Sequence, residues 1–404
     1  MGRPLDGIKV VEVAMWAFVP AAGGMLADMG ATVIKVEPPT GDPLRGLQTG
    51  LNRDNQPAFD FSWESYNRGK QSITLDLKHE AGVAVLYRLI ADADVFLTNL
   101  LPPARNKMGI DAQTLRSRFP KLIYATGSAV GQNGPDADKG GFDAITFWAR
   151  GGVSSSLTDE NAEDPVGPPG PAFGDTLSGS MLAGGICAAI AKRAMTGEAS
   201  TLDVSLFNAA MWSMQRTIVQ ATYDGIDRFP RPHRDQPNNV LSNNYRTSDG
   251  RFIALCMLQA DRFWARFCEV AGRPELAHDP RYVDARARKQ NVAQCLAELR
   301  ALFASKSLAE WREILSRQDG QWDVVQHVGE MSEDRQVQAN GYLQTVESGD
   351  GRRIPLVSVP MQFDGTAFTA RRAPELGSNS DELLAALGYD SDAIIELKAA
   401  GVVF

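Results

Sequence analysis

The fold is decided by the stretch Ile8-Lys-Val-Val-Glu-Val-Ala-Met-Trp-Ala-Phe-Val-Pro-Ala-Ala-Gly-Gly-Met-Leu-Ala-Asp-Met-Gly-Ala-Thr-Val-Ile-Lys-Val-Glu37. Residues 8–14 have the apolar, β-branched pattern of a buried strand, and residues 32–36 repeat this pattern. The small residues of 20–29 between them are typical of a helix that packs closely on a sheet. The stretch therefore predicts a βαβ unit, in which two parallel strands are joined by a crossover helix.

The same alternation continues along the chain. Further strands are predicted at 72–75, 94–97, 122–126 and 201–205, and further helices at 79–91, 103–118 and 175–195. Strands that alternate with helices form a mostly parallel sheet with helices on both faces. The sequence therefore predicts an α/β protein with a Rossmann-like, doubly wound sheet.

The composition changes near residue 225 and suggests two domains. Residues 229–239 are rich in Pro, Asn and Arg, which is typical of a linker, and a hairpin and several helices follow. With 404 residues, the chain also exceeds what one ordinary hydrophobic core encloses. We expect a large domain at 1–225, completed by about 355–404, and a linker with a smaller α+β domain at 226–354.

Bulk properties restrict the classes of function. A net charge of -8 argues against a nucleic-acid surface. The sequence has no evident run of about 20 apolar residues and no apolar signal-peptide core near its start, which predicts a cytoplasmic protein without a membrane partner. The four cysteines and four histidines are scattered without CxxC or HExxH spacing, so we expect no metal and no permanently bound cofactor.

A dinucleotide site is a natural first hypothesis for this fold. Glu37 ends the second strand, where dinucleotide enzymes hold a ribose. The turn after the first strand, residues 15–24, lacks the GxGxxG pattern that brings a backbone close to a pyrophosphate. The sequence therefore predicts the scaffold of a dinucleotide-binding protein without that function.

Asp175 follows Gly174 directly before a long helix of small residues. At the N-cap, unpaired backbone N–H groups and the helix dipole favour the ionised form of a carboxyl group. We therefore expect Asp175 to be anionic at neutral pH and a candidate nucleophile, although a plain capping role remains the alternative. Basic residues in polar turns, Arg45, Arg68, Lys70, Arg105 and Lys107, are candidates for phosphate binding.

Several linked motifs resemble a known family over nearly the whole chain. They are residues 4–11, 25–38, 41–46 and 67–77, Asn99 with 107–109, Gly174-Asp175, and Arg372-Ala-Pro-Glu-Leu-Gly377. Together they resemble the class III CoA-transferases, the CaiB/BaiF family, which includes the formyl-CoA transferases. The order of the motifs matches as well as their residues.

The resemblance implies a mechanism and a set of ligands. Asp175 matches the nucleophile that attacks an acyl-CoA thioester, forms an aspartyl mixed anhydride and passes CoA to a carboxylic acid acceptor. The CoA-binding residues of the family map onto Arg45, Asn99, Lys107 and Met108, with Lys70 as a further phosphate candidate. The family also forms interlocked homodimers, which the resemblance extends to this chain.

Departures from the family pattern concern the acyl site. Ala17 stands where formyl-CoA transferases have an orienting glutamine, and with Trp16 and Phe142 it predicts an apolar acyl pocket. Residues 238–245 replace a glycine-rich loop. In the related 2-methylacyl-CoA racemases a histidine takes the place of Phe142, and phenylalanine cannot carry a proton. A racemase and a CoA-binding protein without turnover remain alternatives to a CoA-transferase.

Overall fold

The computed structural model describes residues 2–47, 60–230, 234–349 and 351–404, and this part of the chain forms two compact units. The larger unit contains the residues up to Phe229 together with Arg335–Phe404, and the smaller unit is Pro230–Asp334. The predicted smaller domain extended to residue 354. The hairpin at 343–357 instead belongs to the larger unit, where Arg68 Nη1 donates to the carbonyl oxygen of Val357 at 2.8 Å.

A six-stranded sheet forms the centre of the larger unit, and all its neighbouring strands run parallel. Its strands are β1 (Lys9–Val13), β2 (Thr32–Glu37), β3 (Gln71–Thr74), β4 (Val95–Thr98), β5 (Ile123–Ser128) and β6 (Thr201–Ser205). The spatial order β3-β2-β1-β4-β5-β6 is that of a doubly wound fold, as predicted. The order reverses between β1 and β4, so a crevice is expected beyond their carboxyl ends.

Helices cover both faces of this sheet. They are α1 (Phe18–Asp28), α2 (Phe61–Asn67), α3 (Glu80–Ala91), α4 (Pro102–Met108), α5 (Ala112–Arg118), α6 (Val153–Leu157), α7 (Phe173–Thr196), α8 (Leu206–Ser213) and α9 (Gln215–Asp224), with a π-helical segment at Ala144–Arg150. The single helix predicted at 103–118 is two helices. Gly109 ends α4 in the left-handed conformation, with φ of 67°, and Asp111 caps α5.

Alternate strand residues face two separate cores, because successive side chains of a strand point to opposite faces. One face, with Val10, Val33 and Leu97, packs against α1, α7 and α8. The other face, with Val11 and Ile34, packs against α3 and the C-terminal helices α15 (Ser380–Ala386) and α16 (Ser391–Ala399). Both ends of the chain therefore build the larger unit.

Helix α7 lies directly against α1. A side chain at Gly179 would come within 2.8 Å of the Phe18 carbonyl oxygen, so glycine is required for this close approach. By length and composition alone α7 could cross a membrane, contrary to the sequence prediction that no stretch is apolar enough. Its residues Leu182, Ala183 and Ile186 are fully buried in the core under the sheet. Core packing therefore explains the apolar residues on this face of α7.

The smaller unit has its own apolar core. A three-stranded antiparallel sheet, β7 (Asn244–Arg246), β8 (Phe252–Leu255) and β9 (Trp322–Val324), packs with α10 (Ala260–Val270), α12 (Val292–Phe303) and α13 (Leu308–Leu315). Arg288 of α11 (Ala285–Gln290) lies over the Trp264 ring. Short 3-10 turns occur at Pro274–Ala277 and Val328–Glu333. The remaining elements, in the larger unit, are α14 (Arg335–Asn340) and the hairpin β10 (Leu343–Glu347) and β11 (Arg353–Val357).

Candidate active site

Asn99 joins the carboxyl ends of β1 and β4, where the strand order reverses. Its Oδ1 accepts a hydrogen bond from the backbone N–H of Met15 at 3.0 Å, and its Nδ2 donates to the carbonyl oxygen of Met15 at 2.7 Å. These two bonds fix the loop after β1 at the place where doubly wound folds bind ligands. The same loop continues into Trp16 and Ala17, two of the residues predicted for the acyl pocket.

Trp16 has a strained backbone. Its φ of 70° lies in the left-handed region, which costs a non-glycine residue on the order of 1 kcal/mol or more, and the Asp42 Oδ1 atom accepts its N–H at 3.1 Å. The indole ring meets the Phe142 ring edge-on, with 5.5 Å between centroids. Ala17 is buried at the start of α1. The structure therefore brings Trp16 and Phe142 together as an aromatic wall.

Lys70 lies in a buried cluster of charges and not at the surface. Its Nζ donates to Glu12 Oε2 at 2.8 Å, to the Pro20 carbonyl oxygen at 2.9 Å and to Asn67 Oδ1 at 2.9 Å. Burial is the main cause that lowers its pKa to about 8, and the Glu12 charge opposes this effect. All three N–H donors are thus occupied inside the protein. The predicted role of Lys70 in binding a CoA phosphate does not fit this position.

The same cluster continues through Lys35, whose Nζ lies 2.9 Å from Asp42 Oδ2 and 3.1 Å from Glu12 Oε1. Two lysines and two carboxylates balance each other inside this cluster. Because a buried charge needs a partner of opposite sign, the equal numbers of lysines and carboxylates stabilise this buried cluster beneath the loop of Trp16. Asp42 therefore connects the cluster to the strained tryptophan.

Arg45 is held by Glu37 at the end of β2. Its Nε and Nη2 atoms donate to the two carboxylate oxygens at 2.7 and 2.9 Å, and its guanidinium lies 3.5 Å from the centre of the Trp63 ring. Burial alone would raise the pKa of Glu37, but the hydrogen bond from Arg45 holds it below its ordinary value. Glu37 thus positions an arginine in this protein and is not free for a ribose.

Lys107 and Met108 lie on α4, the short helix that follows Asn99. Lys107 is exposed, whereas Met108 is half-buried against the core that contains Val11 and Ile34. Of the residues predicted to bind CoA, Asn99 and Arg45 therefore lie at the carboxyl ends of β4 and β2, and Lys107 is exposed on the helix that follows β4. Met108 and Lys70 point into the protein.

The first turn of α7 carries Asp175, and its backbone N–H groups are directed at a different carboxylate. Asp143 Oδ2 accepts the Gly174 N–H at 3.1 Å, and this bond opposes the rise that burial causes in the pKa of Asp143. A side chain at Gly174 would come within 2.4 Å of Asp143 Oδ1. Asp143 rather than Asp175 therefore satisfies the helix start. No local sequence pattern indicates this contact, because 31 residues separate Asp143 from Gly174.

The ionisation of Asp175 differs from the prediction. Asp175 is the third residue of α7 and is half-buried. Burial raises its pKa to about 7, and the negative charge of Asp143 adds to this shift. No hydrogen bond from the helix N–H groups lowers the pKa of Asp175, and the Gly174 N–H bonds to Asp143 instead. At neutral pH Asp175 is therefore close to its titration midpoint instead of fully anionic.

Tyr66 on α2 completes the surroundings of Asp175. Its hydroxyl lies 3.4 Å from Oγ1 of Thr176, the residue that follows Asp175. Its ring packs with Trp16 against the small apolar cluster of Leu44 and Trp63. In the described part of the chain, no group of three His, Cys, Asp or Glu side chains is arranged to hold a metal. The site thus consists of acids, hydroxyls and aromatic rings.

Comparison with known proteins identifies the family. The profile of CoA-transferase family III matches residues 5–380. The chain is 32% identical to (R)-2-hydroxy-4-methylpentanoate CoA-transferase of Clostridioides difficile, with 99% of each chain covered. It is 34% identical to cinnamoyl-CoA:phenyllactate CoA-transferase of Clostridium sporogenes, with 97% of this chain and 95% of the relative covered.

A solved structure of a CaiB/BaiF family protein from Brucella suis has the same fold. Its TM-score is 0.80 at 28% identity, with 96% of this chain and 100% of that chain covered. The chain therefore belongs to CoA-transferase family III, the family indicated by its motifs. It is an enzyme that transfers CoA between an acyl-CoA thioester and a carboxylic acid.

Proposed function

We propose that Asp175 is the nucleophile of this transfer. Its carboxylate oxygen bonds to the thioester carbonyl carbon, and the carbon–sulfur bond breaks. CoA leaves as a thiolate, and a mixed anhydride between Asp175 and the donor acid remains. The thiolate then attacks the aspartyl carbonyl, which gives aspartyl-CoA and releases the donor acid. An acceptor carboxylate then attacks the carbonyl carbon of aspartyl-CoA and displaces the CoA thiolate, which gives a second mixed anhydride. The thiolate attacks the acceptor carbonyl of this anhydride, regenerates the Asp175 carboxylate and leaves as the new acyl-CoA.

The observation that carries this proposal is the ionisation of Asp175. With a pKa of about 7, caused by burial and by Asp143, the carboxylate is more basic than an ordinary aspartate and still substantially ionised at neutral pH. A more basic oxygen is a stronger nucleophile, provided that enough of it is deprotonated. A purely structural capping aspartate would show the opposite shift, because helix N–H groups stabilise its charge.

Acyl-CoA would bind across the carboxyl ends of β1 and β4. Asn99 holds the loop there, and Lys107 provides an exposed cation nearby for a phosphate. Arg45 keeps part of its guanidinium exposed beside Trp63, where it can face the same ligand. Lys70 is left out of this proposal because its donors are used inside the protein.

The aromatic wall of Trp16 and Phe142 supports an acyl group with a bulky apolar or aromatic side chain. The two relatives above are named for acids of this kind, 2-hydroxy-4-methylpentanoate and cinnamate with phenyllactate. Filling an apolar pocket typically changes kcat/KM by about 10–200-fold. We expect cinnamoyl-CoA to be used at least about 10-fold better than succinyl-CoA with phenyllactate as acceptor.

Mass spectrometry of the intact protein tests the nucleophile. The enzyme is mixed with cinnamoyl-CoA, quenched with hydroxylamine, and the modified residue is located in the native protein and in Asp175→Ala. We expect a hydroxamate on Asp175 alone, one equivalent of free CoA, and a loss of turnover of about 10⁴-fold or more in the variant. No adduct with any acyl-CoA, together with deuterium uptake at the α-carbon in heavy water, contradicts the proposal and restores the racemase.

We further propose a homodimer that acts in the cytoplasm, where acyl-CoA and free acids are available. Helices α8 and α9 expose several large apolar side chains, among them Met211, Trp212, Val219 and Tyr223. A group of this size on a surface is typical of an interface between chains. Sedimentation at nanomolar concentration is expected to give the dimer mass, and a stable monomer contradicts it.

A further inference from the structure

Tyr66 occupies a fixed position on α2. Asp60 caps this helix by accepting the Trp63 N–H at 2.8 Å. The Tyr66 backbone lies so close to α1 that a side chain at Gly24 would come within 2.9 Å of the Tyr66 carbonyl oxygen. The next residue, Asn67, is bonded to the buried Lys70. The backbone of Tyr66 is therefore fixed by contacts before and after it in the chain, and this fixes where its side chain begins.

The phenolic proton of Tyr66 is available for a ligand. Thr176 Oγ1 lies 2.9 Å from the Ala172 carbonyl oxygen and 3.4 Å from the Tyr66 hydroxyl oxygen. A threonine hydroxyl has one proton, and the shorter distance assigns it to the carbonyl oxygen. The remaining contact is long for an O–H···O bond, so the Tyr66 O–H can turn to a stronger acceptor.

Tyr66 also remains protonated beside the two acids. Burial raises the pKa of its hydroxyl, and the negative charges of Asp175 and Asp143 act in the same direction. A neutral phenol next to a carboxylate is a hydrogen-bond donor and not a base. This is the form needed for a group that stabilises negative charge on a substrate.

The attack by Asp175 creates that negative charge. When its oxygen bonds to the thioester carbon, the electrons of the carbonyl double bond move onto the carbonyl oxygen, which then requires hydrogen-bond donors. The N–H groups in the first turn of α7 are obvious donors, but Asp143 already accepts that of Gly174 at 3.1 Å. The Tyr66 hydroxyl, 3.4 Å from Thr176 Oγ1, is a further donor beside Asp175.

We propose that the Tyr66 hydroxyl is a catalytic donor to this oxyanion, an inference that rests on Asp175 being the nucleophile. The Tyr66 O–H bonds to the carbonyl oxygen of the bound thioester and of each later anhydride. It keeps its proton throughout. The oxyanion formed on a thioester collapses by expelling the CoA thiolate, and the oxyanion formed on an anhydride collapses by expelling a carboxylate. Thr176 serves only as the resting partner of the hydroxyl in the absence of ligand.

Single-turnover trapping with cinnamoyl-CoA tests this role in the full-length enzyme. We expect Tyr66→Phe to bind acyl-CoA with a Kd within about 2-fold of the native value and to form the Asp175 adduct about 10²–10³-fold more slowly. Thr176→Val is the matched control, because it removes the resting partner and keeps the phenol. Its adduct should form at a rate within about 3-fold of native, since that hydroxyl is no oxyanion donor.

A second variant keeps the inference testable where Tyr66→Phe folds poorly. Replacing Tyr66 by 3,5-difluorotyrosine preserves the ring but gives a phenol that ionises at lower pH. We expect its adduct rate to fall as the pH rises through the pKa of that phenol, whereas the native rate does not fall there. A native enzyme without any Asp175 adduct removes the nucleophile itself. Normal Asp175 adducts at native rates in Tyr66→Phe overturn only the role of Tyr66.

Discussion

The Asp143 carboxylate accepts the backbone N–H of Gly174 at 3.1 Å, at the start of the helix that carries Asp175. This contact separates two functions that the sequence had assigned to one residue. Asp143 accepts the Gly174 N–H at the helix start, and Asp175 is left beside a second acid in a half-buried position. The positive end of the helix therefore stabilises Asp143, while burial and the charge of Asp143 raise the pKa of Asp175 to about 7.

The first prediction concerns the pH dependence of Asp175 acylation. In the native enzyme the rate of adduct formation should fall as the pH decreases through about 7, because the protonated acid cannot attack. Asp143→Asn keeps an oxygen to accept the Gly174 N–H and removes the charge, so the titration of Asp175 should move to lower pH. The measurement is the adduct rate between pH 5 and 9. An unchanged profile in the variant means that Asp143 does not control Asp175.

The second prediction concerns the stability cost of Asp175. Its folded pKa lies above its unfolded value of 3.8, so its contribution to stability is complete below pH 4 and is lost as the pH rises through about 7. Asp175→Asn carries no charge at any of these pH values. We therefore expect the variant to melt at a higher temperature than the native protein at pH 8 and to lose most of this advantage at pH 5. Calorimetry at pH 8 and at pH 5 measures the difference in melting temperature between the two proteins. A difference of equal size at both pH values contradicts the pKa shift.

The parallel sheet and its family could be predicted from the sequence because both depend on local patterns. The strand, helix and strand of residues 8–37 and the ordered motifs required no knowledge of distant contacts. Two features at the level of tertiary structure were not predictable in this way. Gly109 divides one predicted helix into two, and Gly179 of α7 allows its close approach to α1.

The candidate site could be predicted only in part, for the same physical reason. Asp175, Trp16 and Asn99 stand out by residue type and motif. Whether a carboxyl group is ionised depends on what surrounds it in space, and Asp143 comes from a separate segment of the chain. Lys70 illustrates the opposite error, since a lysine in a polar turn suggested an exposed cation and its Nζ bonds to buried Glu12.

The third prediction concerns the requirement for glycine before Asp175. A methyl group at Gly174 would lie 2.3 Å from the Phe147 ring and 2.4 Å from Asp143 Oδ1, so Gly174→Ala must displace one of them. We expect a loss of about 1–3 kcal/mol in the free energy of unfolding and slower acylation. Gly184→Ala, on the exposed side of the same helix, has open space around it and should be neutral or stabilising by up to about 1 kcal/mol. Urea unfolding measures the change in the free energy of unfolding for both variants. Equal changes in the two variants contradict the packing argument.

The last prediction separates Lys70 from Lys107. Lys70→Met leaves Glu12 in a buried position with one lysine fewer, and breaking a buried ion pair in this way typically costs about 3–5 kcal/mol. Lys107→Met changes an exposed side chain and should alter the free energy of unfolding by less than about 0.5 kcal/mol. We expect only Lys107→Met to raise the KM for acyl-CoA at unchanged stability, because that cation is free to meet a phosphate. Urea unfolding and initial rates are measured side by side. A Lys70→Met enzyme of native stability with a raised KM would place Lys70 on the CoA and overturn the assignment of its Nζ to the buried cluster.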